Sequence, residues 1–190
     1  MRIIYCLLFL FLLGCDEPSE SSVASRPSNS KESDALFLND PARRSTPFIW
    51  PGMKNPKFVA AAEADLLDHM QIIGITVGDS ARAYAVNDLS GMTTHVVNDV
   101  LEDSAVSVTY CNRTDIARVF ANSESKTSMD LGVGGWQGNQ MLITLDGKFF
   151  LQVANDIPLK EYSSTRTTWG EWKTLHPETT LCVTKEATVK

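Results

Sequence analysis

Hydrophobic and polar positions divide the chain into three stretches. The first is an unbroken apolar run from Ile3 to Leu13 (IIYCLLFLFLL). The second, from Asp16 to about Ser45, is polar, almost empty of apolar residues as far as Ser33 and then interrupted by the short patch Ala35-Leu36-Phe37-Leu38. In the third, from about Pro47 onward, apolar positions return with a changing period. Ala60 to Met70 (AAAEADLLDHM) combines strong helix formers with a stripe at Ala64, Leu67 and Met70, which predicts a short helix. Ile72 to Val77 is a β-branched run. The turn Gly78-Asp79-Ser80 follows, and Ala81 to Val86 alternates, so a hairpin is expected.

Thr94 to Val100 and Ala105 to Cys111 read as two further strands joined by Glu102-Asp103-Ser104, and Ile116 to Ala121 as another. Gln140 to Leu145 and Lys148 to Val153 flank Asp146-Gly147, the strongest hairpin signal in the chain. Thr168 and Glu171 stand at capping-box spacing, and Trp169, Trp172 and Leu175 or His176 recur with helical period until Pro177 stops them. Thr180 to Thr184 is a last strand. The expected class is α+β, mostly antiparallel β, with a short helix near the start of the domain and one near its end. The sequence carries no internal repeat and no dinucleotide or Walker glycine pattern.

The first stretch changes the picture from fold to address. Arg2 precedes an apolar run of eleven residues, too short for a membrane-spanning helix of about 20. Leu12-Leu13-Gly14-Cys15 resembles a bacterial lipobox, which implies cleavage before Cys15 and acylation of its sulfur. Residues 1–14 are then a lipoprotein signal peptide, the alternative being a plain secretory signal with Cys15 incidental. Seven serines between Asp16 and Ser33, with Pro18 and Pro27, make residues 15–46 a tether. Some thirty such residues have a mean span of about 30 Å. Residues 47–190 form the single folded domain. The expected location is the cell envelope, on the extracytoplasmic side of a membrane held through the lipid anchor.

Charge adds one exclusion. Seventeen basic residues against twenty-three acidic give a net charge of −6, dispersed along the chain. A nucleic-acid partner demands a clustered basic face, and none is written here, so no such partner is expected.

From about Pro51 onward the chain resembles a bacterial family known as domain of unknown function 3179. The residues that carry the resemblance are NPKFV (Asn55 to Val59), EADLLD (Glu63 to Asp68), IGITVGDSARAYAV (Ile73 to Val86), HVVND (His95 to Asp99), SVTYC (Ser107 to Cys111), ARVF (Ala117 to Phe120) and TTWGEWKTLHPET (Thr167 to Thr179). A glycine-rich segment, GVGGWQGNQML (Gly132 to Leu142), is similar to that of a compact, planctomycete-type subgroup of envelope proteins. The resemblance implies an extracytoplasmic domain without an established activity. In many relatives a second cysteine or a proline follows the Tyr-Cys pair, whereas Asn112-Arg113-Thr114-Asp115-Ile116 follows here, so chemistry by two neighbouring cysteines is not expected.

Candidate chemistry centres on the cysteines. With Cys6 in the signal and Cys15 lipidated, Cys111 and Cys182 remain. Three fates are open: a disulfide between them, closing a loop of about 70 residues for roughly 3–4 kcal/mol; a buried inert thiol at Cys111; or a reactive Cys111. For the last, Arg113 and Arg118 are cations close in sequence that lower a thiol pKa. His95 is the candidate base if the two strands pair, with Asn98 or Asp99 to orient it. Their bland role is to cap a strand and satisfy a turn. Trp136 among Gly132, Gly134, Gly135 and Gly138 is either one wall of a ligand site, with Arg113, Arg118 and Asn98, or a core residue of a bulged hairpin. His69, His95 and His176 lack zinc-ligand spacing, so neither a metal nor another cofactor is expected. Two functions stay open: a non-catalytic domain that binds a small ligand or an envelope protein, and a thiol-dependent enzyme using Cys111 with His95.

Overall fold

Positive φ angles at Gly78, Glu102 with Asp103, Gly138, and Asp146 with Gly147 close four two-residue hairpins, in the conformations whose twist suits paired strands. They belong to a computed structural model that describes residues 49–184. The signal peptide, Cys15, the tether and the expected domain start at Pro47 lie outside the described residues.

The strands in chain order are β1 (Trp50–Pro51), β2 (Met53–Lys54), β3 (Lys57–Ala60), β4 (Gln71–Val77), β5 (Ser80–Ala85), β6 (Val96–Leu101) and β7 (Ser104–Cys111). There follow β8 (Ile116–Asn122), β9 (Gly132–Gln137), β10 (Gln140–Leu145), β11 (Lys148–Leu151), β12 (Lys160–Tyr162) and β13 (Thr165–Thr168). The helix α1 (Trp169–Leu175) and the strand β14 (Thr180–Val183) close the described chain. Three sheets result, ordered β1-β9-β10-β11, β12-β8-β7-β6-β2 and β13-β4-β5-β14-β3. All neighbours are antiparallel except β2 with β6 and β5 with β14.

Side-chain alternation along β7 shows how the sheets stack. Val106, Val108 and Tyr110 enter a core shared with Ile73, Ile75 and Tyr84 of the β4–β5 sheet. Ala105 and Cys111 enter a second core with Val133, Trp136, Met141 and Ile143 of the β9–β10 sheet. The sheet containing β7 is therefore the middle layer, buried on both faces. Helix α1 covers the outer face of the β4–β5 sheet, where Trp169 and Trp172 pack with Ile72, Ala83, Ala85 and Leu181. Gly74 makes that packing possible: a Cβ built there would stand 2.5 Å from the Trp172 ring.

The expected α+β class is corrected by this arrangement. The described chain is essentially all-β, with α1 and two 3-10 turns, at Ala61–Glu63 and Val86–Ser90. Helix α1 stands where the capping-box spacing puts it: the Thr168 hydroxyl accepts from the Glu171 N–H, and the Glu171 carboxylate accepts from the Thr168 N–H. The helix expected over Ala60 to Met70 does not form beyond the 3-10 turn. Ala60 is held in β3 against Thr180, and the Ala61 N–H donates to the Thr179 carbonyl. The carbonyls of Asp68 and Met70 accept from Gly170 and Trp169 rather than from their own segment. Leu67 is 65% exposed, so the stripe buried too little to offset these pairings.

Candidate functional site

Strands β6 and β7 pair as the Cys–His reading requires, with Val96 opposite Thr109 and the Tyr110 N–H donating to the His95 carbonyl. Cys111 and His95 therefore stand at the same end of the middle sheet, around Trp136. The His95 ring meets the Trp136 ring edge-on at 5.6 Å, and the Arg113 guanidinium lies 4.5 Å over the Trp136 ring. Arg113 also reaches toward the Gly138 carbonyl at 3.4 Å.

The chemistry within this cluster is inward-facing. Cys111 has no exposed surface, and its thiol donates to the Asn139 carbonyl at 3.8 Å. Burial pushes that thiol up, yet hydrogen bonds from Thr114 and from the N–H groups of Arg113 and Met141 bring it below its ordinary value. His95 is buried, and its Nδ1–H donates to the Tyr110 carbonyl at 2.8 Å. Burial lowers its pKa, against the opposing pull of the Tyr110 and Leu89 carbonyls and with help from the Arg113 charge. Among the described residues no hydrogen bond joins the Cys111 thiol to the His95 ring.

The proposed orienters point elsewhere. Asp99 faces the opposite core, where its carboxylate accepts from Arg82, from the Tyr84 hydroxyl at 2.7 Å and from the Val100 N–H at 2.7 Å. Asn98 is fully buried; its amide donates to the Leu131 carbonyl at 2.8 Å and its oxygen accepts from Ser107 at 2.6 Å. Arg118 is spent on the carbonyls of Gln152 and Ala154, both at 2.7 Å, and on Glu161 at 2.8 Å. Of the expected ligand set, Arg113 and Trp136 come together; Asn98 and Arg118 do structural work apart from them. Trp136 is a core residue of a hairpin bulged at Leu142/Ile143.

The two cysteines are free thiols in separate cores, Cys111 between the β7 and β9–β10 sheets and Cys182 between the β7 and β4–β5 sheets. No bridge joins them. Among the described residues no cluster of three metal-ligating side chains occurs, and no helix is long and apolar enough to cross a membrane.

A recess that the sequence reading did not single out lies on the other side of the molecule. It is a groove of about 410 Å³ between the start of β5 and the loop that links α1 to β14, with Asp79, Arg82, Leu101, Leu175, His176 and Glu178 in its lining. A smaller cleft of about 190 Å³, bordered by Gly74, Tyr162, Thr165 and Trp172, also has His176 in its lining. The His176 ring packs on Trp172 at 4.1 Å between ring centres, and Trp172 is itself anchored by donation to the Thr179 hydroxyl at 2.8 Å. The one signal in the sequence was the Leu175-His176-Pro177-Glu178 run, which brings an apolar, a basic and an acidic side chain to the end of a helix.

No curated protein and no solved structure matches the chain. A family model matches residues 49–190, every described residue of the three-layer fold included. The chain therefore belongs to the family described as "Protein of unknown function (DUF3179)".

Proposed function

We propose that the chain is an envelope lipoprotein, a compact planctomycete-type member of its family, whose folded part is a non-catalytic binding domain for a small ligand or an envelope protein. The observation that carries this reading is the division of the expected trio. Cys111 and His95 lie at one end of the middle sheet, while the Asp99 carboxylate is committed to Arg82 and Tyr84 in the opposite core. A nucleophile needs a base within hydrogen-bond reach and an orienter behind it. It also needs a path to substrate, and Cys111 has no exposed surface. The groove beside His176, by contrast, is open and falls within the roughly 300–1,000 Å³ of ligand sites. The apolar run and the Leu-Leu-Gly-Cys15 sequence support the anchor, since two acyl chains hold where one does not.

The lowered Cys111 thiol favours a second reading, a thiol-dependent enzyme with His95 as base. Alkylation of the full chain, exported with its own leader and read by intact mass, separates the two. The binding reading expects Cys111 to resist native labelling at pH values below neutral and to label fully once denatured. Rapid native labelling there overturns it. In the same preparation an alkyne-tagged fatty acid is expected on the wild-type chain and not on Cys15→Ser; equal labelling of both removes the anchor.

A further inference from the structure

We propose that the outer face of the sheet of β9, β10 and β11 is the seat of the Ala35-Leu36-Phe37-Leu38 patch of the tether, which lies outside the described residues. The docking is independent of what the domain binds; its consequence for the groove rests on the lipoprotein reading.

The three-layer stack has two outer faces. Helix α1 covers one of them, over Ile72, Ala83 and Leu181. The other carries Gly132, Gly134, Leu142, Thr144, Phe149 and Leu151, the positions that alternate with the inward Val133, Met141, Ile143 and Leu145. None of these outward positions is charged. An antiparallel sheet with one face in water alternates apolar with polar along each strand. Strand β10 does not: it is buried from Met141 through Leu145, on both of its faces.

Leu142 decides what that burial means. It is 0% exposed, yet its cross-strand neighbours are Leu151, half-buried, and Gly135, which has no side chain. A side chain standing perpendicular to a sheet is shielded at its sides by such neighbours and on top only by another layer. The Phe149 ring lies across Gly134, where a Cβ would stand 2.5 Å from it. Among the described residues, Leu142, Phe149 and Leu151 form this cluster with no contribution from outside β10 and β11. The layer above Leu142 is supplied by a part of the chain outside the described residues.

Connectivity selects that part. The described chain enters through β1, which pairs with β9 at the edge of this same sheet. Ala35-Leu36-Phe37-Leu38 is the longest apolar run between Asp16 and Thr46. From Leu38 to Trp50 the chain reaches up to roughly 40 Å, whereas a four-stranded sheet is about 14 Å across. Residues after Val183 leave from the opposite outer sheet, and Lys185 to Lys190 hold no two adjacent apolar residues. Seated on this face, the patch shortens the tether: residues 15–34 remain as the link to the anchor, with a mean span of about 25 Å. The groove beside His176, on the sheet of β5 and β14, then lies on the layer opposite the tether's exit and stays open to a partner.

The test uses the full chain, exported with its leader and extracted in mild detergent, with p-benzoylphenylalanine in place of Phe37. Irradiation is expected to cross-link that position to the peptide spanning Leu142 to Leu151 of the same chain. Cross-links confined to other surfaces, or none, overturn the proposal; a product of twice the chain mass also overturns it and assigns the face to a second copy. In a second preparation, Leu36→Ser/Phe37→Ser/Leu38→Ser is expected to speed hydrogen exchange at Leu142 to Leu151 about tenfold, while Val96 to Cys111 keeps its protection. Unchanged exchange, or equal acceleration in both segments, overturns it as well. The docking and the anchor fail separately. Cross-linking to Leu142–Leu151 in a chain that takes no tagged fatty acid keeps the seat and removes the anchor; a tagged chain without that cross-link keeps the anchor and removes the seat.

Discussion

Arg82 on β5 and Asp99 on β6 form an ion pair that crosses the core between two five-stranded sheets, their side chains 20% and 5% exposed. The Tyr84 hydroxyl donates to the same carboxylate oxygen, and burial followed by that carboxylate holds the phenol well above its ordinary pKa. The pair is the buried polar link between the two sheets, which are also joined nearer the surface by the Tyr162 hydroxyl on the Thr76 carbonyl and by Arg166 with Asp115. The same pairing removes Asp99 from any role beside His95 and leaves the groove without a free guanidinium.

Removing one partner from this pair strands the other. Arg82→Met is expected to lower unfolding stability by about 3 kcal/mol, because the Asp99 carboxylate stays buried with only the Tyr84 hydroxyl and one N–H. Arg82→Met/Asp99→Leu is expected to regain most of that loss, since a buried pair replaced by apolar groups is close to neutral. Urea midpoints of the wild type, of Arg82→Met, of Asp99→Leu and of the double variant measure it; a double-variant loss equal to the sum of the two single losses would show that the two side chains act independently.

How far the sequence reveals this molecule depends on how local each interaction is. The β6–β7 and β10–β11 hairpins were legible because Glu102-Asp103 and Asp146-Gly147 carry their turn chemistry in adjacent residues. Helix α1 was legible because its capping box lies within four consecutive residues, Thr168 to Glu171. Strands β1 and β2, two residues each, were not: they exist only because β9 and β6 are there to pair with them. The segment from Ala60 to Met70 was misread for the same reason, as its backbone partners Thr179, Trp169 and Gly170 lie far along the chain. Period-two alternation on β6 does place Asn98 and Asp99 on opposite faces, but which core each face meets depends on how three sheets stack. The groove joins residues near 80 to residues near 178, a contact that no local pattern encodes.

Gly74 is expected to tolerate no side chain. The atoms that a Cβ would meet at 2.5–2.6 Å belong to the Trp172 ring, itself buried and tied to Thr179. Gly74→Ala is expected to cost about 1–3 kcal/mol through overpacking, with the helix displaced from the sheet. Thermal unfolding followed by tryptophan fluorescence checks this; an unchanged midpoint and an unchanged emission maximum would show that α1 is free to shift.

His95 gives the fold a sensitivity to mild acid. Burial lowers its pKa below the ordinary 6.5, so in the window below that value the unfolded chain binds a proton that the folded chain does not. Stability contributed by the neutral, buried ring is complete above 6.5 and is lost as the pH falls toward the folded-state pKa. His95→Gln, which retains a donor for the Tyr110 carbonyl, is expected to flatten this part of the curve. Parallel urea-midpoint profiles for wild type and variant across the window would assign the acid sensitivity to other groups.

The two thiols are expected to part company in alkali. Cys182 is pushed up to about 12, first by burial and then by the nearby Asp99 and Asp88, against an ordinary value of 9.0. The folded chain therefore keeps a proton that the unfolded chain releases. Stability from the neutral thiol is complete below 9.0 and declines as pH rises toward about 12. Cys111 is held below its ordinary value by Thr114 and the N–H groups of Arg113 and Met141, although burial opposes them. Local opening of the Gly138-Asn139 turn, whose Asn139 carbonyl receives the Cys111 thiol, then exposes the more acidic of the two sulfurs first. Alkylation of the native chain at rising pH, mapped by peptide mass, is expected to mark Cys111 well before Cys182. Simultaneous labelling would mean that both thiols react only through global unfolding, and labelling of Cys182 first would overturn the assignment of the two environments.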